Sequence, residues 1–249
     1  MRKKIYSKFD KHEINALPRV LFEGRIITIL SPGETEKAVN YLLDSDILGF
    51  DTETRPVFHK GKAHKVCLLQ VSNRDTCFLF RLNHTGFTPA IKKLLEDTTV
   101  TKIGLSWHDD LLGLHRLGEF TPGNFVELQT LAPEVGIEDK SLQKLYANLF
   151  HQKISKAQRL TNWESDILKD NQKLYAATDA WTCIQIYDEL KRLLKTRNFD
   201  LVVVPDPEPV KKTVDAASAI DSVAAKVVCN EDIMTESRKK NKNKENEQL

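Results

Sequence analysis

Asp51 and Glu53 stand one residue apart at the end of the apolar run Ile47-Leu48-Gly49-Phe50. Such a run reads as a buried strand, and strand side chains repeat every two residues, so both carboxylates point to one face. Like charges held that close raise the pKa of at least one of them unless a cation sits between. The pair therefore calls for a divalent metal or a shared proton. Further along, Asp110 opens a helix and Asp179 lies on the long last helix, where Tyr175, four residues earlier, shares its face. Asp110 is preferred to its neighbour Asp109 because Leu111 and Leu114 follow it at core spacing. Together these residues make a set of carboxylates and one phenol. Oxygen-only ligands suit hard cations such as Mg²⁺ or Mn²⁺. Two such ions match in-line phosphodiester hydrolysis, one activating the water and the other stabilising the leaving oxygen. A phenol can orient that water, although an ordinary pKa of about 10 makes it a poor base at neutral pH.

The elements that must bring these groups together follow from the pattern of apolar residues. Residues 25–30 are rich in β-branched side chains and read as a first strand. Ser31-Pro32-Gly33-Glu34 fits a helix start, with Ala38, Leu42 and Leu43 at helical spacing behind it. After the acidic strand comes a basic connection carrying Arg55, His59, Lys60, Lys62, His64 and Lys65. Residues 66–71 and 76–81 read as a hairpin, and 101–105 as a further strand. Helices are expected from Thr88-Pro89, over 109–117, 141–150 and 171–194, the segment after Pro122-Gly123 being mostly helical. Strands followed by helices argue for an α/β sandwich around a mixed sheet. The alanines beside Asp179 let its helix lie close against that sheet.

Composition bounds the rest. With 249 residues, 41% hydrophobic and 29% charged, the chain has the mix of a soluble globular protein. No apolar stretch approaches the roughly 20 residues that cross a bilayer, and no secretory signal opens the chain. A cytoplasmic, intracellular protein without membrane association is the expectation. Cys67, Cys77, Cys183 and Cys229 show no metal-ligand spacing and read as structural thiols. A net charge of +2 announces no polyanion partner, so any nucleic-acid binding must come from a local patch. Three regions are expected: an arm over 1–20 that packs on the domain or stays mobile, a domain over 21–200, and a charged tail over 201–249 too poor in apolar residues to fold.

Phe50-Asp51-Thr52-Glu53, the Asp110 helix and Tyr175-x-x-x-Asp179 resemble the three motifs of the DEDD 3′→5′ exonucleases, in the tyrosine-bearing subgroup. Residues 155–164 and 175–180 are similar to ribonuclease D and to the exonuclease domain of the Werner syndrome protein. The resemblance spans roughly residues 25 to 195. It implies a ribonuclease-H-like fold with a central five-stranded mixed sheet flanked by helices. It implies two divalent ions, Mg²⁺ or Mn²⁺, with Asp51, Glu53 and Asp179 on the first and Asp51 bridging to a second that Asp110 supports. Tyr175 then positions the water, and nucleic acid with a free 3′ end is shortened to nucleoside 5′-monophosphates. Thr52, His108, Lys156 and Arg159 are the candidate nucleic-acid contacts, while Trp107 and Trp163 read as core. The alternative from another class is a catalytically silent nucleic-acid-binding or scaffold domain of the same fold. The presence of all five motif residues speaks against it.

Overall fold

The computed structural model describes residues 2–58 and 64–205. His59, Lys60 and Lys62 of the basic connection, Cys229, and the tail beyond Pro205 lie outside the described residues. In chain order the elements are β1 (Lys3–Tyr6), α1 (Lys11–Ile14), β2 (Arg25–Ile29), α2 (Pro32–Leu43), β3 (Ile47–Thr54), β4 (Val66–Ser72), β5 (Thr76–Arg81), α3 (Leu82–Thr85) and α4 (Pro89–Glu96). Then follow β6 (Thr101–Gly104), α5 (Trp107–His115), β7 (Phe125–Glu127), α6 (Leu128–Leu131), a 3₁₀ turn at Ala132–Val135, α7 (Leu142–Phe150), α8 (Asp170–Thr196) and β8 (Phe199–Val202).

Local chemistry sets the boundaries. Ser31 and Glu34 close a reciprocal capping box at the start of α2, where the Glu34 N–H donates to Ser31 Oγ at 3.3 Å and the Ser31 N–H to Glu34 Oε2 at 3.0 Å. Between β4 and β5, Asn73 Oδ1 accepts from the backbone N–H groups of Asp75 and Thr76 at 3.1 and 2.9 Å, which turns the chain back on itself.

The main sheet has the order β2-β5-β4-β3-β6-β7. β3 pairs antiparallel with β4 and parallel with β6, so the acidic strand lies inside the sheet. Helices cover both faces. Leu48 and Phe50 point towards Val39, Leu42, Leu94, Trp107 and Leu114 from α2, α4 and α5. The alternate positions of β3 face α8, whose Ala176, Ala177, Ala180 and Ile184 are buried. The mixed sheet between helices is the expected architecture, but its strand count is six where five were expected. The added strand, β7, has only three residues and pairs parallel to β6 over Lys102↔Phe125 to Gly104↔Glu127.

The N-terminal segment packs. β1 pairs parallel with β8 in a separate two-stranded sheet. The buried Asn148 side chain of α7 fixes Tyr6 at both backbone groups, accepting from its N–H at 2.9 Å and donating to its carbonyl at 2.7 Å. Cys67, Cys77 and Cys183 are buried free thiols, as expected. Among the described residues no helix is long and apolar enough to cross a membrane.

Candidate active site

Gly49 decides how near α8 can come to β3. A Cβ at this position would lie 2.0 Å from the Ala180 carbonyl oxygen, so no other residue fits without moving the helix. The close approach carries Asp179 over the strand end. One carboxylate oxygen from each of Asp51, Glu53 and Asp179 then lies within 4.8 Å of the others. The period-two alternation and the one-turn spacing thus converge on one cluster.

Asp110 reaches the cluster from the other side of the strand. Its carboxylate accepts a hydrogen bond from the Thr52 hydroxyl, while the Thr52 N–H donates to Asp51 Oδ1 at 2.9 Å. Thr52, expected to touch nucleic acid, therefore ties two acids of the site together. Asp109 is exposed and points elsewhere. α5 begins at Trp107, two residues ahead of the expected start at 109, because Ser106 adopts the left-handed region at φ 66°. That conformation is costly for a residue with a side chain. Glu127 stabilises it by accepting from the N–H groups of Ser106 and Trp107 at 3.0 and 2.7 Å. Sequence reasoning missed Glu127: nothing local distinguishes a carboxylate that caps a helix starting twenty residues upstream.

Glu53 is 8% exposed and Asp179 6% exposed. Burial, followed by the charges of Asp110, Asp179 and Glu53, pushes Asp51 well above the usual carboxylate range. Glu53 rises to about 9, from burial and then from Asp179 and Asp110. Asp110 and Asp179 rise to about 7, again chiefly from burial. Arg159 acts in the opposite direction on Glu53, and Lys156 on Asp179. Buried Asp179 Oδ1 has no hydrogen-bond partner. A carboxylate with a buried unsatisfied oxygen, grouped with two further carboxylates, fits a hard divalent cation, which supplies the missing positive charge. The Tyr175 phenol is raised above its ordinary pKa by burial and by the nearby charges of Asp179 and Glu53. It stays protonated at neutral pH.

Of the remaining candidates, His108, Lys156 and Arg159 are exposed. Lys156 and Arg159 lie in an irregular segment of turns, linked by an Arg159 N–H to Lys156 carbonyl bond of 3.3 Å. Trp107 is core, its ring centroid 5.4 Å from that of Phe50 and 4.5 Å from that of Phe125. Trp163 is fully buried, with its ring centroid 5.9 Å from that of Tyr175. Beside Thr52 and Asp110 opens a groove of about 430 Å³ that Thr54, His64, Lys65 and Arg116 also line.

A family model described as 3′-5′ exonuclease matches residues 26–195. The chain is 32% identical over 187 residues to the bifunctional 3′-5′ exonuclease/ATP-dependent helicase WRN of Mus musculus, a match covering 71% of this chain. It spans only 13% of that protein. Among solved structures, the Nibbler EXO domain of Aedes aegypti shares the fold with a TM-score of 0.64 at 21% identity, over 72% of this chain and 92% of that one. Brucella melitensis NrnC, solved with bound Mg²⁺, shares it with a TM-score of 0.52 at 20% identity, over 70% of this chain and 81% of that one.

Proposed function

The chain belongs to the 3′-5′ exonuclease family, and from that premise we propose that it hydrolyses phosphodiester bonds from the 3′ end of an RNA or DNA strand, releasing nucleoside 5′-monophosphates. The observation that carries the reading is the meeting of Asp51, Glu53 and Asp179 within 4.8 Å, with a buried oxygen of Asp179 left unpaired. Like charges so placed are unfavourable without a cation, so the arrangement favours a metal site over a silent relic of one.

Asp51, Glu53 and Asp179 would hold one divalent ion, and Asp51 with Asp110 a second, Mg²⁺ or Mn²⁺. When bound, such ions lower the pKa of an attacking water and stabilise charge on the leaving oxygen. The chain's own groups do the rest. Tyr175, protonated at neutral pH, orients the water through its hydroxyl and is not the base. Thr52 holds Asp110 at the strand end through its hydroxyl. Lys156 and Arg159 place positive charge beside the carboxylates, where a phosphate must approach against their repulsion.

The test is a gel-resolved time course on 5′-labelled single strands of RNA and DNA with Mg²⁺, with Mn²⁺ and with chelator. A ladder shortening from the 3′ end, abolished by chelator, with closed circles left uncut, is the expected result. The faster sugar names the substrate. If neither strand shortens with either metal, the silent binding domain becomes the better account.

A further inference from the structure

The residues ahead of the family match carry a feature that the exonuclease reading does not use. The chain's overall charge is only +2, and some of its surface cations are paired with acids, such as Arg74 with Asp46 and Asp188, Arg192 with Glu189 and Lys173 with Asp170, while others are not. Lys11 and Arg19 belong to the second group and lie ahead of the family match, beside the segment that carries Lys156. Both are exposed, and among the described residues no acid pairs with either.

Their positions are fixed relative to the site. The Val20 N–H donates to the Lys153 carbonyl at 3.1 Å and the Lys153 N–H to the Pro18 carbonyl at 2.8 Å, so Arg19 is bridged to the segment that carries Lys156. The Lys153 ammonium is bonded to the Asn15 carbonyl, which ties down the end of α1. Arg19 lines a small cavity of about 60 Å³ that Ser155, Gln158 and Tyr175 also line. The Lys156 ammonium is held below its ordinary pKa, first by burial and then by the positive charges of Arg159 and Lys11. Lys11 is therefore close enough to Lys156 for the two to repel, and Lys156 in turn feels Asp179.

We propose that Lys11 and Arg19 extend Lys156 and Arg159 into a cationic platform that takes the phosphodiester backbone of the substrate strand outside the carboxylate cluster. The proposal rests on the exonuclease reading only in taking its ligand to be the same strand. Exposed cations that no acid meets in an ion pair, held on a pinned backbone, complement a polyanion whose phosphates repeat along a chain. Each contact releases counterions, which gives the platform a signature in salt.

The test measures binding without turnover: anisotropy of a fluorescein-labelled single strand of about 20 nucleotides, titrated in chelator across a NaCl series. In the Lys11→Gln, Arg19→Gln double variant the affinity should fall roughly tenfold and the plot of log K against log salt should flatten by about 1.4, the effect of two phosphate contacts on a single strand. The charge-keeping pair Lys11→Arg, Arg19→Lys should keep the wild-type slope. Wild-type slope in the glutamine pair overturns the platform, and so does an equal loss in the charge-keeping pair, which would mean that the arm's packing is at stake. Strand shortening with an unchanged slope sinks the platform alone. A flattened slope in a protein that shortens no strand sinks the exonuclease reading alone.

Discussion

Two of the regions in which this molecule buries charge do it in opposite ways. Lys102 on β6 is fully buried, yet its ammonium donates to the carbonyls of Asp97 at 2.6 Å and Val100 at 3.1 Å and lies 5.1 Å from the centroid of the Phe125 ring. For the carboxylates around the end of β3 the provision is partial: burial pushes all of them upward, repulsion within the cluster adds to it at Asp51 and Glu53, and one oxygen of Asp179 is left unpaired. At Lys102 the fold supplies the partners of a buried charge from its own chain. At the carboxylate cluster a bound cation would complete what the chain leaves open.

The sharpest way to break that comparison is Asp51→Asn. The substitution keeps size and removes one of the repelling charges. Turnover should fall by on the order of 10³-fold or more, since the group stands where both ions would be held. In chelator the same variant should melt above wild type, because the metal-free protein no longer has to protonate or bury that carboxylate on folding. Wild-type turnover would end the assignment. A lower melting temperature in chelator would show that Asp51 is compensated from within.

The pH dependence of stability should follow the same logic. Unfolded carboxylates titrate near about 4, whereas Asp110 and Asp179 in the folded protein titrate at about 7 and Glu53 at about 9. Between those limits the folded state binds more protons than the unfolded one, so stability falls as pH rises. In chelator the melting temperature should drop steadily from about pH 5 to about pH 9. Saturating Mn²⁺ should flatten the drop, because the ion binds the deprotonated acids of the folded state alone. A flat profile in chelator, or one that Mn²⁺ leaves unchanged, would count against the uncompensated cluster.

Lys102→Met probes the other half of the comparison. Methionine matches much of the stem's volume, but the carbonyls of Asp97 and Val100 lose their donor. Unpaired buried acceptors of this kind should cost about 2 kcal/mol in urea unfolding, with strand shortening at the wild-type rate. If the variant is as stable as wild type, the internal partners matter less than their geometry implies.

How much of this was legible beforehand depends on the range of the interaction. The period-two pair Asp51 and Glu53, the one-turn pair Tyr175 and Asp179, and the β4–β5 hairpin are local, and local spacing reveals them. The alanines of α8 likewise announced close packing, which Gly49 completes from the strand side. What stayed hidden is set by partners distant in sequence. β7 is three residues long and exists through pairing with β6. The arm is ordered by β8, nearly the whole domain away, in the register Lys3↔Phe199. For the same reason Lys11 and Arg19 looked like part of a charged arm, their neighbours Lys153 and Lys156 being far along the chain.

The smallest effect is expected at the position where two readings of the sequence competed. Asp109 and Asp110 are adjacent on α5, but a helix turns about 100° per residue, so only one of them can face β3. Asp110 does, through the Thr52 hydroxyl, while Asp109 is exposed to solvent on the rim of the groove. An exposed charge near the site is screened and acts weakly. Asp109→Asn should therefore change kcat by no more than about twofold, the effect of a surface substitution of roughly 0.5 kcal/mol. Asp110→Asn should resemble the loss at Asp51 in kind. Measured side by side under saturating Mg²⁺, a larger loss at Asp109 than at Asp110 would mean that α5 is turned about its axis in the working enzyme, with the wrong acid at the strand end here.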